Sequence, residues 1–175
     1  MRNTRKALFF EGNVPPGGVC LSSFVMVESG DALLVGKMVK PEIWTERFFV
    51  GEQWARGYVE SGKYVLPASH LVWYESPLDA ALRVLNEQVL MPLDRERVEL
   101  FDVQSQVSVD ISGKNKPPHW DLCFVYRVEV SPDEAHGFKR PEWFEELGFK
   151  PKTSLKPEHF TRGHGDVLQE AGALH

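Results

Sequence analysis

Glu75, Arg83, Glu87 and Gln88 lie close together in the stretch LPASHLVWYESPLDAALRVLNEQVLM, residues 66–91. Arg83 and Glu87 are four apart, so on a helix they share a face. Such a pair either orients a reacting group or is a surface ion pair worth about 0.3–0.5 kcal/mol. Val84 and Gln88 are also four apart, on the neighbouring face. Val offers no ligand atom, and Gln offers only a neutral carbonyl oxygen, which a hard dication accepts poorly beside a carboxylate. Glu75 precedes the helix and has two readings: a metal-site residue, or a carboxylate that holds the loop through backbone amides. A second polar group, His159, Arg162, His164 and Asp166 in HFTRGHGD, offers phosphate binding or proton movement by a histidine, or simply a solvated helix entrance. His119 and Trp120 are candidates for a pocket wall. Trp44, Trp54 and Trp73 could stack a base, with ordinary burial the plainer reading of each.

These side chains need elements to place them. Ser76 is a good N-cap and Pro77 suits the first helical position, with Asp79 three residues past the cap. Leu78, Ala81, Leu82, Leu85 and Val89 then follow one helical face, and Pro92 ends the run. Val19 to Glu28 and Ala32 to Val39 read as a hairpin about Glu28-Ser29-Gly30-Asp31. Lys63 to Pro67 reads as a short strand and Ala68 to Glu75 as a loop. Val98 to Ile111 carries one or two strands, 112–118 is a turn, and Trp120 to Val130 is the strongest strand signal. Ser131 to Pro141 is expected to loop back, Pro141 to Leu147 to form a short helix, Pro151 to Pro157 to be irregular, and Asp166 to Leu174 to form a final helix capped by Asp166. Lys40 to Gly62 is left open as an inserted loop, hairpin or lid. The order suits an α/β (α+β) sandwich with a mixed sheet.

With 175 residues, one domain over 1–175 is expected, with residues 1–18 as an N-terminal extension. The net charge of −5 argues against binding duplex nucleic acid. No run approaches the roughly 18 apolar residues of a membrane span, and Ala7 to Phe10 is too short for a signal-peptide core. Cys20 and Cys123 are expected to be buried, reduced thiols of a cytoplasmic protein. No Gly-rich phosphate loop, Cys-x-x-Cys pair, His-Glu-x-x-His motif or Gly-x-Ser-x-Gly elbow is present.

The stretch 66–91 resembles the Nudix box, Gly-x5-Glu-x7-Arg-Glu-U-x-Glu-Glu-x-Gly-U with U bulky and aliphatic. Glu75, Arg83, Leu85, Glu87 and Met91 match it, whereas Ser69, Val84, Gln88 and Leu90 do not. His70 and the run Ser76, Pro77, Ala80, Ala81, Leu82 also look like the family, as does Glu142-Trp143-Phe144-Glu145-Glu146-Leu147. The resemblance implies a Nudix-like α/β/α sandwich with a central mixed sheet. It also implies MutT-like pyrophosphatase chemistry, in which Mg2+ or Mn2+ helps water attack a phosphorus atom of a nucleotide. Carried onto this chain, it makes Glu75, Arg83 and Glu87 the catalytic candidates. It makes Ala68 (through its carbonyl), Glu87 and Gln88 the metal candidates and puts His70 on the substrate side, where the residue reading adds Trp120 and His164. Because Val84 and Gln88 stand where the family has its main Glu clamp, the metal site is expected to be weak. A hydrolase of nucleoside diphosphate-linked substrates is therefore expected first. The alternative is an inactive fold member binding a nucleotide or protein partner; a homodimer is left open.

Overall fold

The computed structural model describes residues 17–48, 50–108, 119–161 and 163–174. Most of the expected extension 1–18 lies outside them, as do Phe49, the end of the expected strand at 109–111, the turn 112–118 and Arg162. The elements run β1 (Val19–Ser29), β2 (Ala32–Met38), α1 (Pro41–Phe48), α2 (Glu52–Ser61), β3 (Ala68–His70), α3 (Pro77–Arg83), β4 (Glu99–Ser108), β5 (His119–Glu129), α4 (Pro132–Gly137), β6 (Phe144–Pro151) and α5 (His164–Glu170). Short 3-10 turns at Arg95–Arg97, Lys152–Ser154 and Pro157–His159 join them.

The strands form one mixed six-stranded sheet in the order β4-β5-β1-β2-β6, with β3 added beside β1. β1 is buried on both faces, which explains its nearly continuous apolar sequence. Its side chains alternate. Val25 and Val27 enter one core with Trp44, Phe48, Ala55, Ala81, Val84 and Leu85. Phe24 and Met26 enter the other with Cys123, Val125, Val167 and Leu168. Helices α1, α2 and α3 thus cover one face and α5 the other. β5 lies parallel to β1, with Cys20 opposite Asp121 and Ser22 opposite Cys123.

Several expectations change. The segment 40–62 is two helices rather than a loop, hairpin or lid. Trp44 and Phe48, four apart, are both buried, and Gly62 at φ +61° closes α2 in a left-handed cap. Pro141 to Leu147 does not form a helix, since β6 begins at Phe144 and pairs antiparallel with β2. A register shift between Lys37 and Met38 leaves Met38 opposite Phe144 but Lys37 opposite Glu146. This bulge puts Phe144 and Leu147, three apart, in the same core, a spacing that mimics a helix. Ser131 to Pro141 carries α4, started by a reciprocal Ser131–Glu134 capping box. Tyr64 and Val65 make only isolated bridges, and the regular strand is β3, inside the expected loop. α5 begins at His164 after the N-cap Gly163; Asp166 acts from the first turn, accepting from the Gly163 N–H at 3.2 Å.

Candidate functional site

The loop from β3 to α3 is held at both ends. Ser76 caps α3, its hydroxyl oxygen accepting from the Asp79 N–H at 3.1 Å, and the Ser23 hydroxyl donates to the Pro77 carbonyl at 2.7 Å, tying the helix start to β1. Between these ends Glu75 and Arg83 form a two-pronged pair, Arg83 Nε to Glu75 Oε1 at 2.7 Å and Nη2 to Oε2 at 2.9 Å. Their side chains are only 9% and 13% exposed, respectively. Glu75 also accepts from the Val72 N–H at 3.0 Å. Arg83 reaches further, donating to the His70 carbonyl at 3.0 Å and the Ser69 hydroxyl at 3.2 Å. Burial pushes the Glu75 carboxyl upward, but the Arg83 contacts and the Val72 amide outweigh it, and the group sits below its ordinary value. The partner expected for Arg83 at one helical turn, Glu87, is exposed instead.

Beyond Arg83 the helix widens into a π turn over Val84–Val89 and ends at Leu90, which takes a left-handed φ of +56°. The widened turn buries Gln88 to 1% exposure. Its side-chain N–H donates to the Ala68 carbonyl oxygen at 3.0 Å. A carbonyl only accepts, so the nitrogen of the Gln88 amide must face it. The Trp143 indole N–H donates to the Gln88 backbone carbonyl at 2.8 Å, fixing the turn from the other side. Val84 is fully buried among the core side chains. This donor set does not fit a magnesium ion at Ala68. The carbonyl that would be a ligand already accepts an N–H, Val84 supplies no oxygen, Glu75 is committed to Arg83, and hard dications want several oxygens at short range.

A cavity of about 190 Å3 opens beside this turn. Its wall includes Phe24, Trp44, Trp54 and Tyr58 as aromatics, with Ala68, His70, Gln88, His119, Asp121 and His164 as polar contributors. No Lys or Arg is among its described lining residues. His164 is buried and its Nδ1 accepts from the Leu66 N–H at 3.0 Å. Its ring meets Phe24 and Tyr58 edge-on at 5.2 and 5.4 Å. Burial lowers its pKa to about 3, so the ring is neutral. His70 is also lowered, by burial first and by His119, against an opposing pull from Asp121. Burial, aided by Asp121, raises the thiols of Cys20 and Cys123 to about 11 and about 12, and both are free.

The structure therefore gathers Ala68, His70, Gln88 and His164 on one cavity. Glu75, Arg83 and Glu87 do not line it. Trp120 lies on the face of β5 opposite His119 and Asp121 by strand alternation, and its indole N–H donates to the Ser105 hydroxyl at 2.8 Å. Trp44 is core, Trp54 is 38% exposed at the cavity, and Trp73 is 89% exposed on the loop. Cys20 and Asp121 were not singled out from sequence as cavity residues. The apolar runs around Cys20 and Cys123 mark two strands, and it is their register in the sheet that brings Cys20 and Asp121 side by side.

No family model matches the chain, and no curated protein matches it. Solved structures do. A MutT/nudix family protein from Enterococcus faecalis has a TM-score of 0.51 at 14% identity, covering 83% of this chain and 46% of that one. A MutT NUDIX hydrolase from Burkholderia pseudomallei has a TM-score of 0.56 at 16% identity, covering 86% and 96%. A C. elegans Ap4A hydrolase has a TM-score of 0.52 at 10% identity, covering 89% and 95%. This chain thus spans about half of the Enterococcus protein and nearly all of the other two. At such identities the likeness is one of fold.

Proposed function

We propose that this chain, which has the Nudix fold, binds a nucleoside-type ligand in its cavity and does not carry out the magnesium-dependent hydrolysis suggested by that fold. The observation that carries this reading is the hydrogen bond from Gln88 to the Ala68 carbonyl, with Val84 buried beside it. An internal N–H occupies one of the two lone pairs of the oxygen on which a cation would have to rest, and sets a donor where a carboxylate would be needed. Removing two carboxylates from beside a dication costs several kcal/mol, roughly, even at an effective dielectric near 20.

The cavity's chemistry favours the uncharged end of a nucleotide. Trp54, Tyr58 and the histidines offer flat faces for a base. Asp121 and Asp166 are suited to accept from hydroxyl or amino groups. Among the described residues the wall carries no Lys or Arg to match the charge of a polyphosphate.

One observation favours the hydrolase reading. The Glu75–Arg83 pair joins two of the three residues that the resemblance makes catalytic candidates. A single experiment separates the two. The chain is titrated with nucleosides and nucleotides in EDTA, following tryptophan fluorescence. It is then assayed with Mg2+ and Mn2+ on nucleotide sugars, dinucleoside polyphosphates including Ap4A, and nucleoside triphosphates. Binding in EDTA without turnover supports the proposal. Metal-dependent turnover that disappears in Glu87→Gln establishes the hydrolase reading instead.

A further inference from the structure

Three potential ligand atoms converge at one end of the cavity, away from the Gln88 turn in sequence and on different elements. The Sγ of Cys20, a ring nitrogen of His119 and a carboxylate oxygen of Asp121 all lie within 4.8 Å of one another, and all three residues are half-buried. The sheet sets this up. Cys20 on β1 is the direct neighbour of Asp121 on the parallel strand β5, and His119 is two residues before Asp121, on the same face. His70, opposite Ser22 in β3, faces the same cavity.

The hydrogen bonding of His119 gives an independent reason to place a cation there. Its Nδ1 is 2.7 Å from the Gly17 carbonyl oxygen, which only accepts, so Nδ1 carries a proton. Nε2 faces Asp121 Oδ1, 3.1 Å away. With a proton between them the two form a simple ion pair that leaves the adjoining thiol sulfur aside. A metal ion uses all three atoms. A histidine whose other ring nitrogen donates to a backbone carbonyl is also the usual arrangement at a metal, because that bond fixes the tautomer and aims the ring.

We infer that Cys20, His119 and Asp121 form a binding site for zinc or a similar first-row transition dication, with a further coordination position open to the cavity. Sulfur, imidazole and carboxylate together suit zinc and not magnesium. Two ligands of one tetrahedral zinc are about 3.3–3.8 Å apart given usual bond lengths, so the His119–Asp121 pair at 3.1 Å would open slightly while the sulfur, within 4.8 Å of both, draws in. Three protein ligands leave a fourth place for water or for an oxygen or nitrogen of whatever occupies the cavity. This site shares no ligand with the turn at Ala68 and Gln88, and its existence does not depend on nucleoside binding.

Cobalt reports on it directly, because a thiolate bound to Co2+ gives a charge-transfer absorption that imidazole or carboxylate binding lacks. The reduced full-length chain is titrated with Co2+, then with Zn2+, without any nucleoside. The expected result is one equivalent of Co2+ with the thiolate band, displaced by Zn2+ and untouched by a hundredfold excess of Mg2+. Cys20→Ser should abolish the band, and Asp121→Asn and His119→Gln should each weaken binding at least tenfold. Cys123→Ser should leave it unchanged. If Cys20→Ser does not fold by circular dichroism, His119→Gln decides. Cobalt binding without the thiolate band, a band that survives Cys20→Ser, or full affinity in His119→Gln would each overturn the inference.

Discussion

The side-chain amide of Gln88 donates to the carbonyl oxygen of Ala68 at 3.0 Å, bridging twenty positions of sequence and closing the turn that leads into α3. The contact gives the Ala68 carbonyl a donor from within the chain. It depends on the π turn over Val84–Val89, which rotates Gln88 inward and leaves Val84 in the core. A buried carbonyl left without a donor costs about 1–3 kcal/mol, so the amide has a structural reason to be there.

The Glu75–Arg83 pair should behave as a half-buried clasp. Replacing Glu75 by Gln leaves Arg83 short of its charge partner in a part-buried setting, at a cost of about 1–3 kcal/mol. In a chain of this size that lowers the melting temperature by about 2–4 °C per kcal/mol. The Glu75 carboxyl is held below its ordinary 4.5 in the folded chain. Its contribution is therefore fully present above 4.5 and is lost as pH falls through the folded value. Melts between neutral and acid pH should show this part of the acid transition in the native chain and not in Glu75→Gln.

His164 adds a second acid-sensitive element. Its pKa falls from 6.5 to about 3 on folding, so the unfolded chain binds the proton more readily. Stability is complete above 6.5 and declines below it by up to about 1.4 kcal/mol per pH unit, until the folded ring itself titrates. His164→Asn retains an acceptor for the Leu66 N–H but removes the titration. Urea unfolding across pH 7 to 4 should show a flatter stability profile for that variant.

Leu90 holds a left-handed conformation with its side chain 50% exposed. A residue with a Cβ pays roughly 1–2 kcal/mol there, while glycine gives part of this back through the entropy of the unfolded chain. Leu90→Gly is expected to stabilise by about 0.5–1 kcal/mol, measured by denaturant midpoint. A loss of stability would mean that the Leu90 side chain contributes more packing than its exposure indicates.

Ligand binding should be nearly indifferent to salt. Screening acts on charge pairs, and the described cavity wall carries no Lys or Arg. Affinity for a nucleoside is expected to change by less than about twofold between low and high ionic strength, and to fall in Trp54→Ala. A steep salt dependence would point to a cationic contact with phosphate.

Much of this was legible in the residues. Ser76-Pro77 marked the start of α3, and the apolar run from Trp120 marked β5. Val84 and Gln88, the two mismatches, both lie in the π turn. What the pattern could not show was where the Gln88 amide would go, because a regular helix gives no hint of the π turn that buries it. The spacing of Arg83 and Glu87 suggested a pair one helical turn apart, yet Arg83 turns back to Glu75 because the loop brings that carboxylate closer. Phe144 and Leu147 looked helical because a bulge, invisible in one strand alone, gives a strand a three-residue step. Trp44 and Phe48 carried a helical spacing that the surrounding charges and glycines obscured. The Cys20–Asp121 neighbourhood depends on the β1–β5 register, which no local feature fixes.

Thermal melts of the native chain and of Gln88→Glu, each in EDTA and in excess Mg2+, test the central relationship most directly. The native melting temperature should be the same in both conditions. Gln88→Glu sets a carboxylate against the Ala68 carbonyl, so it should melt lower in EDTA and recover in part with Mg2+. A native site filled at a hundred times its dissociation constant would instead add about 2.7 kcal/mol, a rise of about 5–10 °C. A rise of that size in the native chain, lost in Glu87→Gln, would show that a cation does sit where the Gln88 amide is placed.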